Sequence, residues 1–303
     1  MNVFRLRSAV AAASAVALLA LAACSGDQTS PGGSAASGGK VNVVASTDVW
    51  GSVVAAVGGD KVDVKSIIHD STADPHAYET TADDALAAKN AKLLVSNGHG
   101  YDDFFAKLAD DSPDTKKLVA YDIAATGDDN EHVWYDLPGV EKVADQVAAR
   151  LGELEPASKQ QFADNAAAFK VKVDALVKQL AELGAAHPGI KVVVTEPVAH
   201  YLLETAKITD ATPKAFSDAI ESESDVPAAA VAEYKQLITT KQVKALIDNV
   251  QTVTSLTQDV VGTAKSAGVG VVDVTETLPQ GVSDYIVWMT GEVNALAGAL
   301  KQG

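Results

Sequence analysis

Cysteine is almost absent from this chain, since Cys24 is the only one among 303 residues. A chain with one cysteine cannot form an internal disulfide, so its fold must depend on buried apolar side chains. Hydrophobic residues make up 47% of the sequence, which is enough to build such cores. The length predicts two domains of ordinary size.

Basic residues are also scarce, with 24 Lys and Arg against 40 Asp and Glu and a formal charge of −16. This balance argues against binding of nucleic acid, because a phosphate backbone requires a basic surface. An acidic chain suits a soluble protein that works near cations, although such charge also serves solubility alone.

The chain also lacks a long apolar run. The run at residues 9–23 is too short and too rich in alanine for a membrane span. Arg5 and Arg7 precede it and small residues follow, which predicts a signal peptide over residues 1–23.

The segment that follows, residues 24–40, begins with the sequence's single cysteine and is rich in Gly and Ser. "LAAC" at its start resembles the lipobox of bacterial lipoproteins, which implies that Cys24 becomes the lipidated first residue of the mature chain. The alternative is a chance cysteine near a cleavage site. The Gly/Ser composition predicts a flexible tether, so the folded part would work at the outer face of the cell membrane.

Beyond the tether, β-branched runs alternate with amphipathic patterns typical of helices. The predicted strands are 41–46, 61–68, 91–97 and 116–123 in the first half, and 191–196, 243–249 and 269–275 in the second. Such alternation indicates parallel βαβ units. The predicted fold class is α/β, with two Rossmann-like lobes at residues 41–155 and 190–303.

The segment between the lobes, residues 156–189, has the clearest helical period in the chain. Its apolar residues are spaced four and three apart: Phe162, Ala166, Phe169, Val173, Leu176, Leu180 and Leu183. Pro156 opens this pattern and Gly184 begins the segment that closes it. The pattern predicts one long, rigid helix that joins the lobes; the alternative is a surface helix of one large domain.

Four side chains suited to metal binding follow predicted strands. They are His76, His132, Glu196 and Glu276. Ligands of parallel α/β sheets bind beyond the carboxyl ends of the strands, so these residues would meet in the cleft if the lobes face each other. Two imidazoles and two carboxylates suit a divalent transition metal.

Four protein ligands leave no place for an activated water, which favours binding over catalysis. The sequence also lacks an H-E-x-x-H helix and a G-x-S-x-G elbow. A metal-dependent hydrolase with three ligands and a water is the alternative from another functional class.

Several motifs resemble the metal-binding substrate-binding lipoproteins of bacterial ABC importers. "DPHAYE" and "HVWYD" are similar to that family's two histidine segments, and "VTEPVAHYLLETAKI" and "VVDVTETL" to its two later ligand segments. The resemblance covers about residues 41–300. It implies two α/β lobes around one metal ion, held by His76, His132, Glu196 and Glu276.

The resemblance also implies partners and a role. The chain would capture Mn or Zn as a monomer and deliver it to an ABC permease with a cytoplasmic ATPase, without acting as an enzyme. Some members of the family are assigned a role in surface adhesion, which is a second alternative. The family's usual last ligand is Asp, whereas Glu276 stands at that place here.

Asp273 competes with Glu276 for that place, but on a strand the two side chains would point to opposite faces. The absence of a long His-rich loop favours Mn as the cargo, although Zn binds such sites more tightly in general. Tyr78 and Glu79 are candidates for orienting His76, and Glu79 alternatively favours the start of the next helix.

Three further histidines are candidates for places near the site. His99 would lie near the cleft entrance or in a simple turn. His69 and His200 would serve as accessory or flanking groups, or as ordinary solvated residues.

Overall fold

The structure, a computed structural model, describes residues 39–71, 78–222 and 224–301. The predicted signal peptide, Cys24 and all but the last two residues of the tether lie outside the described residues, as does His76. In these three ranges, no helix has both the length and the apolar character of a membrane span.

Each half of the folded chain is built on a four-stranded parallel sheet. The first sheet contains β1 (Val41–Thr47), β2 (Val62–Ile68), β3 (Leu93–Ser96) and β4 (Lys116–Val119), in the order β2-β1-β3-β4. The second contains β5 (Lys191–Val194), β6 (Thr209–Asp210), β7 (Ala245–Asn249) and β8 (Gly270–Val274), in the order β6-β5-β7-β8. The equivalent orders confirm the prediction of two α/β lobes.

Helices connect the strands in both lobes. The first lobe contains α1 (Asp48–Gly58), α2 (Ala82–Asn90), α3 (Asp103–Asp110), α4 (Ala120–Ala124) and α5 (Leu137–Leu154), followed by the long α6 (Lys159–Ala186). The second contains α7 (His200–Ala206), α8 (Lys214–Glu221), α9 (Ala228–Thr239), α10 (Ser255–Ala267) and α11 (Tyr285–Lys301). Short 3-10 turns lie at Gly59–Lys61, Val133–Tyr135, Pro156–Ser158 and Pro197–Ala199.

The two faces of each sheet belong to different cores because strand side chains alternate in direction. In β1, Val43 and Ala45 join a large apolar cluster with α1, α5 and α6, whereas Val44 packs with Phe104 and Phe105 of α3. The large cluster continues through α6 into β5, β7, β8 and α11. The outer face of the second sheet packs against α8, α9 and α10.

The long helix α6 has the predicted apolar face. The seven residues of the predicted stripe are the buried residues of this 28-residue helix. At 1.5 Å per residue it extends roughly 42 Å. One narrow stripe buried along that length, in a core shared by both lobes, makes α6 a connector and confirms the prediction.

Gly184 allows α6 to approach α7 closely. A Cβ at Gly184 would overlap the carbonyl oxygen of Ala206, which is backbone and cannot move aside easily. We expect Gly184→Ala to lower the free energy of unfolding by about 1–3 kcal/mol, as overpacking does. The measurement is urea unfolding. Gly262→Ala is the matched control, because nothing lies within 4 Å of a Cβ there; it should raise stability by up to about 1 kcal/mol.

The sequence interpretation of residues 116–123 as one strand is wrong in its second half. The strand ends at Val119, and Ala120–Ala124 forms α4. The neighbouring strand β3 ends at Ser96, whose register partner is Val119. The backbone after Val119 therefore has no neighbouring strand with which to form hydrogen bonds. Helices α3 and α8 and the two-residue β6 were also not predicted. His132 therefore follows a short helix and a loop rather than a strand.

Candidate metal site

The second-lobe candidates lie where the strand order reverses. Ligands of open α/β sheets bind outside the carboxyl ends of the strands at such a point. In the second sheet the reversal falls between β5 and β7. Glu196 lies two residues beyond the end of β5, and Asn249 is the last residue of β7.

The amide of Asn249 joins the two carboxylates. Its Nδ2 donates to Oε2 of Glu196 at 2.5 Å and to Oε1 of Glu276 at 2.7 Å. Asn249 and Glu276 are each only 1% exposed. The structure therefore brings Glu196 and Glu276 together, as their positions after strands predicted. Asn249 was missed, although its place at a strand end beside the reversal was the signal that could have identified it.

The backbone around Glu276 is held by Gln251 and Tyr135. Gln251 Oε1 accepts hydrogen bonds from the N–H groups of Glu276 and Thr277. The Tyr135 hydroxyl donates to the carbonyl of Thr275 at 2.7 Å. These contacts hold the backbone on both sides of the Glu276 side chain.

The competing acid, Asp273, lies in a different environment. It is exposed within β8, whereas Glu276 is buried beyond the end of that strand. This difference in burial favours Glu276 over Asp273 as the candidate ligand. It agrees with the expectation that side chains three positions apart on a strand point to opposite faces.

His132 is buried and its tautomer follows from its partners. The ring is 1% exposed, and both its Nδ1 and its backbone N–H lie within 3.0 Å of Oδ1 of Asn130. Asn130 donates through its Nδ2 to the carbonyl of Pro197, which fixes the orientation of the amide. Because the amide oxygen only accepts, Nδ1 of His132 carries the proton, and Nε2 keeps the lone pair that a metal requires.

Tyr101 links His132 to the acids of the other lobe. Its ring centroid lies 6.3 Å from that of His132. The pKa of its hydroxyl is raised first by burial and then by the negative charge of Glu276. The phenol of Tyr101 therefore lies beside a first-lobe imidazole and within the field of a second-lobe carboxylate.

Further hydrogen bonds join the lobes near the cleft. Gln251 Nε2 donates to the carbonyl of Ser71 at 3.0 Å, and the N–H of Leu278 donates to Asp48 at 3.1 Å. Burial raises the pKa of Asp48 to about 6. These bonds connect the loops after β7 and β8 to the carboxyl edge of the first sheet.

The described part of the chain accounts for three of the four candidate ligands. In it, no three His, Cys, Asp or Glu side chains are arranged to hold a metal ion. The predicted set also needs His76, which lies outside the described residues. The four-ligand set therefore stays a prediction, with His132, Glu196 and Glu276 placed at the cleft.

The candidates for orienting His76 lie at the start of α2. The Tyr78 hydroxyl donates to Asp84 at 2.9 Å, and its ring packs on Phe104. Thr81 and Asp84 form a capping box at the start of α2, and Glu79 is exposed. The structure thus ties Tyr78 to the helix cap.

His99 contacts the loop that leads to His132. Its backbone has a φ of 56°, its ring stacks on Tyr121 at 3.8 Å, and its Nε2 lies 3.0 Å from the carbonyl of Asp129. His99 therefore supports this loop from the surface.

His69 and His200, the other two candidate histidines, each lie close to a hydrogen-bonding partner. His69 Nδ1 lies 3.1 Å from the carbonyl of Ile67. His200 Nε2 lies 3.2 Å from the carboxylate of Asp128 and connects α7 to the loop before His132.

Comparison with known proteins identifies the family. Residues 43–299 match the family model described as ZnuA, zinc-uptake complex component A, periplasmic. The chain belongs to this family.

Curated relatives from streptococci match part of the chain. A metal ABC transporter substrate-binding lipoprotein, ScbA of Streptococcus cristatus, is 28% identical over 58% of this chain and 61% of its own length. The manganese ABC transporter substrate-binding lipoprotein scaA of Streptococcus gordonii is 28% identical over 55% and 58%. The iron ABC transporter substrate-binding lipoprotein MtsA of Streptococcus pyogenes serotype M1 is 27% identical over 52% and 55%. These matches span about three-fifths or less of each relative's length.

Solved structures show the ZnuA-family fold over a larger part of the chain. The periplasmic zinc binding protein TroA from Treponema pallidum has a TM-score of 0.72 at 17% identity, covering 86% of this chain and 99% of TroA. A zinc-bound ZnuA deletion mutant has a TM-score of 0.71 at 19% identity, with 86% and 98% covered. At these identities the likeness concerns the fold alone.

Proposed function

We propose that this chain is an extracytoplasmic receptor that captures one divalent transition metal ion and delivers it to an ABC importer. The importer consists of a membrane permease and a cytoplasmic ATPase. The observation that carries the proposal is the convergence of Glu196 and Glu276 on Asn249 at the strand-order reversal, in a chain of the ZnuA family. Membership of this receptor family argues against the hydrolase alternative.

The proposed ligands are His76, His132, Glu196 and Glu276. The buried ring of His132, whose Nδ1 is held by Asn130, supports this set because a ligating imidazole needs its other nitrogen hydrogen-bonded. The cargo is Mn or Zn. Relatives named for manganese and for iron, and solved structures named for zinc, support a transition metal.

The proposed location is the outer face of the cell membrane. The signal peptide (1–23) would be removed, and Cys24 with the tether to residue 40 would anchor the folded chain through its lipid. The folded part would then comprise a first lobe (41–155), a linking helix (156–189) and a second lobe (190–303), and would act as a monomer.

The test is metal uptake by the source organism with and without this gene. We expect the deletion strain to take up less manganese or less zinc, and the full-length chain to restore that metal alone. Calorimetry on the purified chain should show one tightly bound ion per molecule. Unchanged uptake of both metals in the deletion strain, or no binding in the calorimeter, would contradict the proposal. Adhesion to a host surface that persists in a metal-free variant would support the adhesion alternative instead.

A further inference from the structure

The loop that leads to His132 is held by a segment of the other lobe. The hydroxyl of Tyr201, in the first turn of α7, donates to the carbonyl of Asn130 at 2.7 Å. The side-chain amide of Asn130 donates in turn to the carbonyl of Pro197 at 3.0 Å. Both second-lobe partners come shortly after Glu196 in the chain, so these bonds connect the segments that carry one candidate ligand from each lobe.

The Tyr201 hydroxyl is suited to a lasting role as donor. The side chain is buried, and burial raises the pKa of Tyr201 to about 12, so the phenol keeps its proton. That proton is shared with the carbonyl of Asn130, which can only accept. The hydroxyl of Thr126, 3.3 Å away, therefore donates to the Tyr201 oxygen. One phenol thus ties two points of the first-lobe loop to α7.

Helix α7 is a firm support for this phenol. Its residues Leu202, Leu203 and Ala206 are buried in the large apolar cluster, and Gly184 of α6 lies close against the carbonyl of Ala206. A single 3-10 turn separates Glu196 from the start of α7. The position of the phenol relative to Glu196 is therefore set by packing within the second lobe, and the first-lobe loop must fit to it.

The path from Tyr201 to the imidazole passes through Asn130. Oδ1 of Asn130 accepts from both the backbone N–H and Nδ1 of His132. Asn130 is itself held at its carbonyl by Tyr201 and at its amide nitrogen by Pro197. It cannot shift without breaking a bond to the second lobe, so the orientation of the His132 ring depends on a lobe to which the ring does not belong.

We propose that Tyr201 is a positioning residue that, through Asn130, aligns the imidazole of His132 with Glu196 of the other lobe for metal binding. The inference rests on the proposed function and deepens it, because it assigns the alignment of two ligands to a residue that is not itself a ligand.

The experiment compares Tyr201→Phe, which removes the hydroxyl and keeps the ring, with the wild-type full-length chain. Affinities for Zn²⁺ and Mn²⁺ are measured separately by competition with a chromophoric chelator. We expect both to fall about 3- to 10-fold, the size of the net contribution of one hydrogen bond. Nitrogen NMR of the metal-free chain should show shifted ring signals for His132, which are assigned by their absence in His132→Ala.

Tyr234→Phe is the matched control. The Tyr234 hydroxyl also donates to a backbone carbonyl of the second lobe, that of Val194 at 2.9 Å, but the ring packs in the core with α8, α9 and α10. Urea unfolding should show similar losses of stability in the two variants. Tyr234→Phe should leave both metal affinities and the His132 ring signals unchanged.

A second pair of variants tests whether Tyr201 acts through Asn130. Asn130→Leu removes the direct partner of the His132 ring and should lower both affinities about 10- to 100-fold. Adding Tyr201→Phe to Asn130→Leu should cost little more, because residues that act along one path are not additive.

The possible results separate the two proposals. Unchanged affinities and ring signals in Tyr201→Phe, losses equal to those in Tyr234→Phe, or full additivity with Asn130→Leu would each overturn the inference. A wild-type chain that binds neither metal defeats the proposed function. The ring signals of the metal-free chain test the hold on His132 independently of that result.

Discussion

Replacing His132 by alanine is expected to lower the metal affinity of the chain by more than about 100-fold. Loss of a group that only orients a ligand costs 10- to 100-fold, so loss of the ligand itself should cost more. The substitution removes the ring whose Nε2 is prepared by the bond between Nδ1 and Asn130. The substitution leaves the backbone N–H of residue 132 able to donate to Oδ1 of Asn130.

The measurement is competition with a chelator for Zn²⁺ and Mn²⁺ on the full-length chain. His187→Ala is the matched control, because His187 lies at the C-terminal cap of α6 and should not affect binding. A His132→Ala chain that folds and binds both metals as tightly as the wild type would exclude His132 from the site. Equal losses in both variants would point to a general effect of histidine removal.

The parts of the fold that sequence predicts are those in which burial depends on local periodicity. The seven apolar residues of α6, from Phe162 to Leu183, could be identified because a helix buried on one side repeats its apolar residues every three or four positions. The strand ends that place Glu196 and Glu276 could be found because parallel strands are continuous apolar runs. The helix at residues 120–124 could not, because β4 stops where its neighbour stops.

The polar contacts of the site could not be predicted, because they depend on which strands become neighbours. Asn249 lies 53 residues from Glu196 and 27 from Glu276 in sequence, and Asn130 reaches the carbonyl of Pro197 67 residues away. The place of Asn249 at the end of a predicted strand is a local signal, but it does not show which side chains the amide will contact. The candidate ligands were found from residue type and strand position, whereas the residues that hold them became visible only in three dimensions.

A buried acid in the second lobe should make stability depend on pH. Glu292 of α11 is 8% exposed, and its Oε1 accepts from the indole of Trp288 at 2.8 Å. In the described part of the chain its Oε2 has no hydrogen-bond partner. Burial raises the pKa of Glu292 to about 8, the Trp288 hydrogen bond lowers it in part, and the charge of Asp273 raises it further.

The direction of the effect follows from proton binding. In the unfolded chain Glu292 ionises near the ordinary glutamate pKa of 4.5, whereas the folded chain keeps it protonated up to about pH 8. Between these values the folded state binds more protons, so the free energy of unfolding falls as the pH rises. The full cost of ionising the buried group is reached above pH 8, and it amounts to roughly 3–5 kcal/mol at most.

Glu292→Gln should therefore stabilise the protein at alkaline pH and have little effect near pH 5. The glutamine keeps the shape of the side chain and its acceptor for the Trp288 indole, but it cannot ionise. The measurement is urea unfolding of both chains from pH 5 to pH 9. Asp48 and Asp248, whose pKa values burial raises to about 6, contribute equally to both curves, so the difference isolates Glu292.

Glu182→Gln on the exposed face of α6 is the control. Its free energy of unfolding, plotted against pH, should run parallel to that of the wild type. Parallel curves for wild type and Glu292→Gln would show that the buried acid is not protonated at neutral pH. Trp288 offers an independent readout, because its indole is bonded both to Glu292 and to the hydroxyl of Thr275, next to Glu276. Its fluorescence in the wild type should change near pH 8, and that change should be absent in Glu292→Gln.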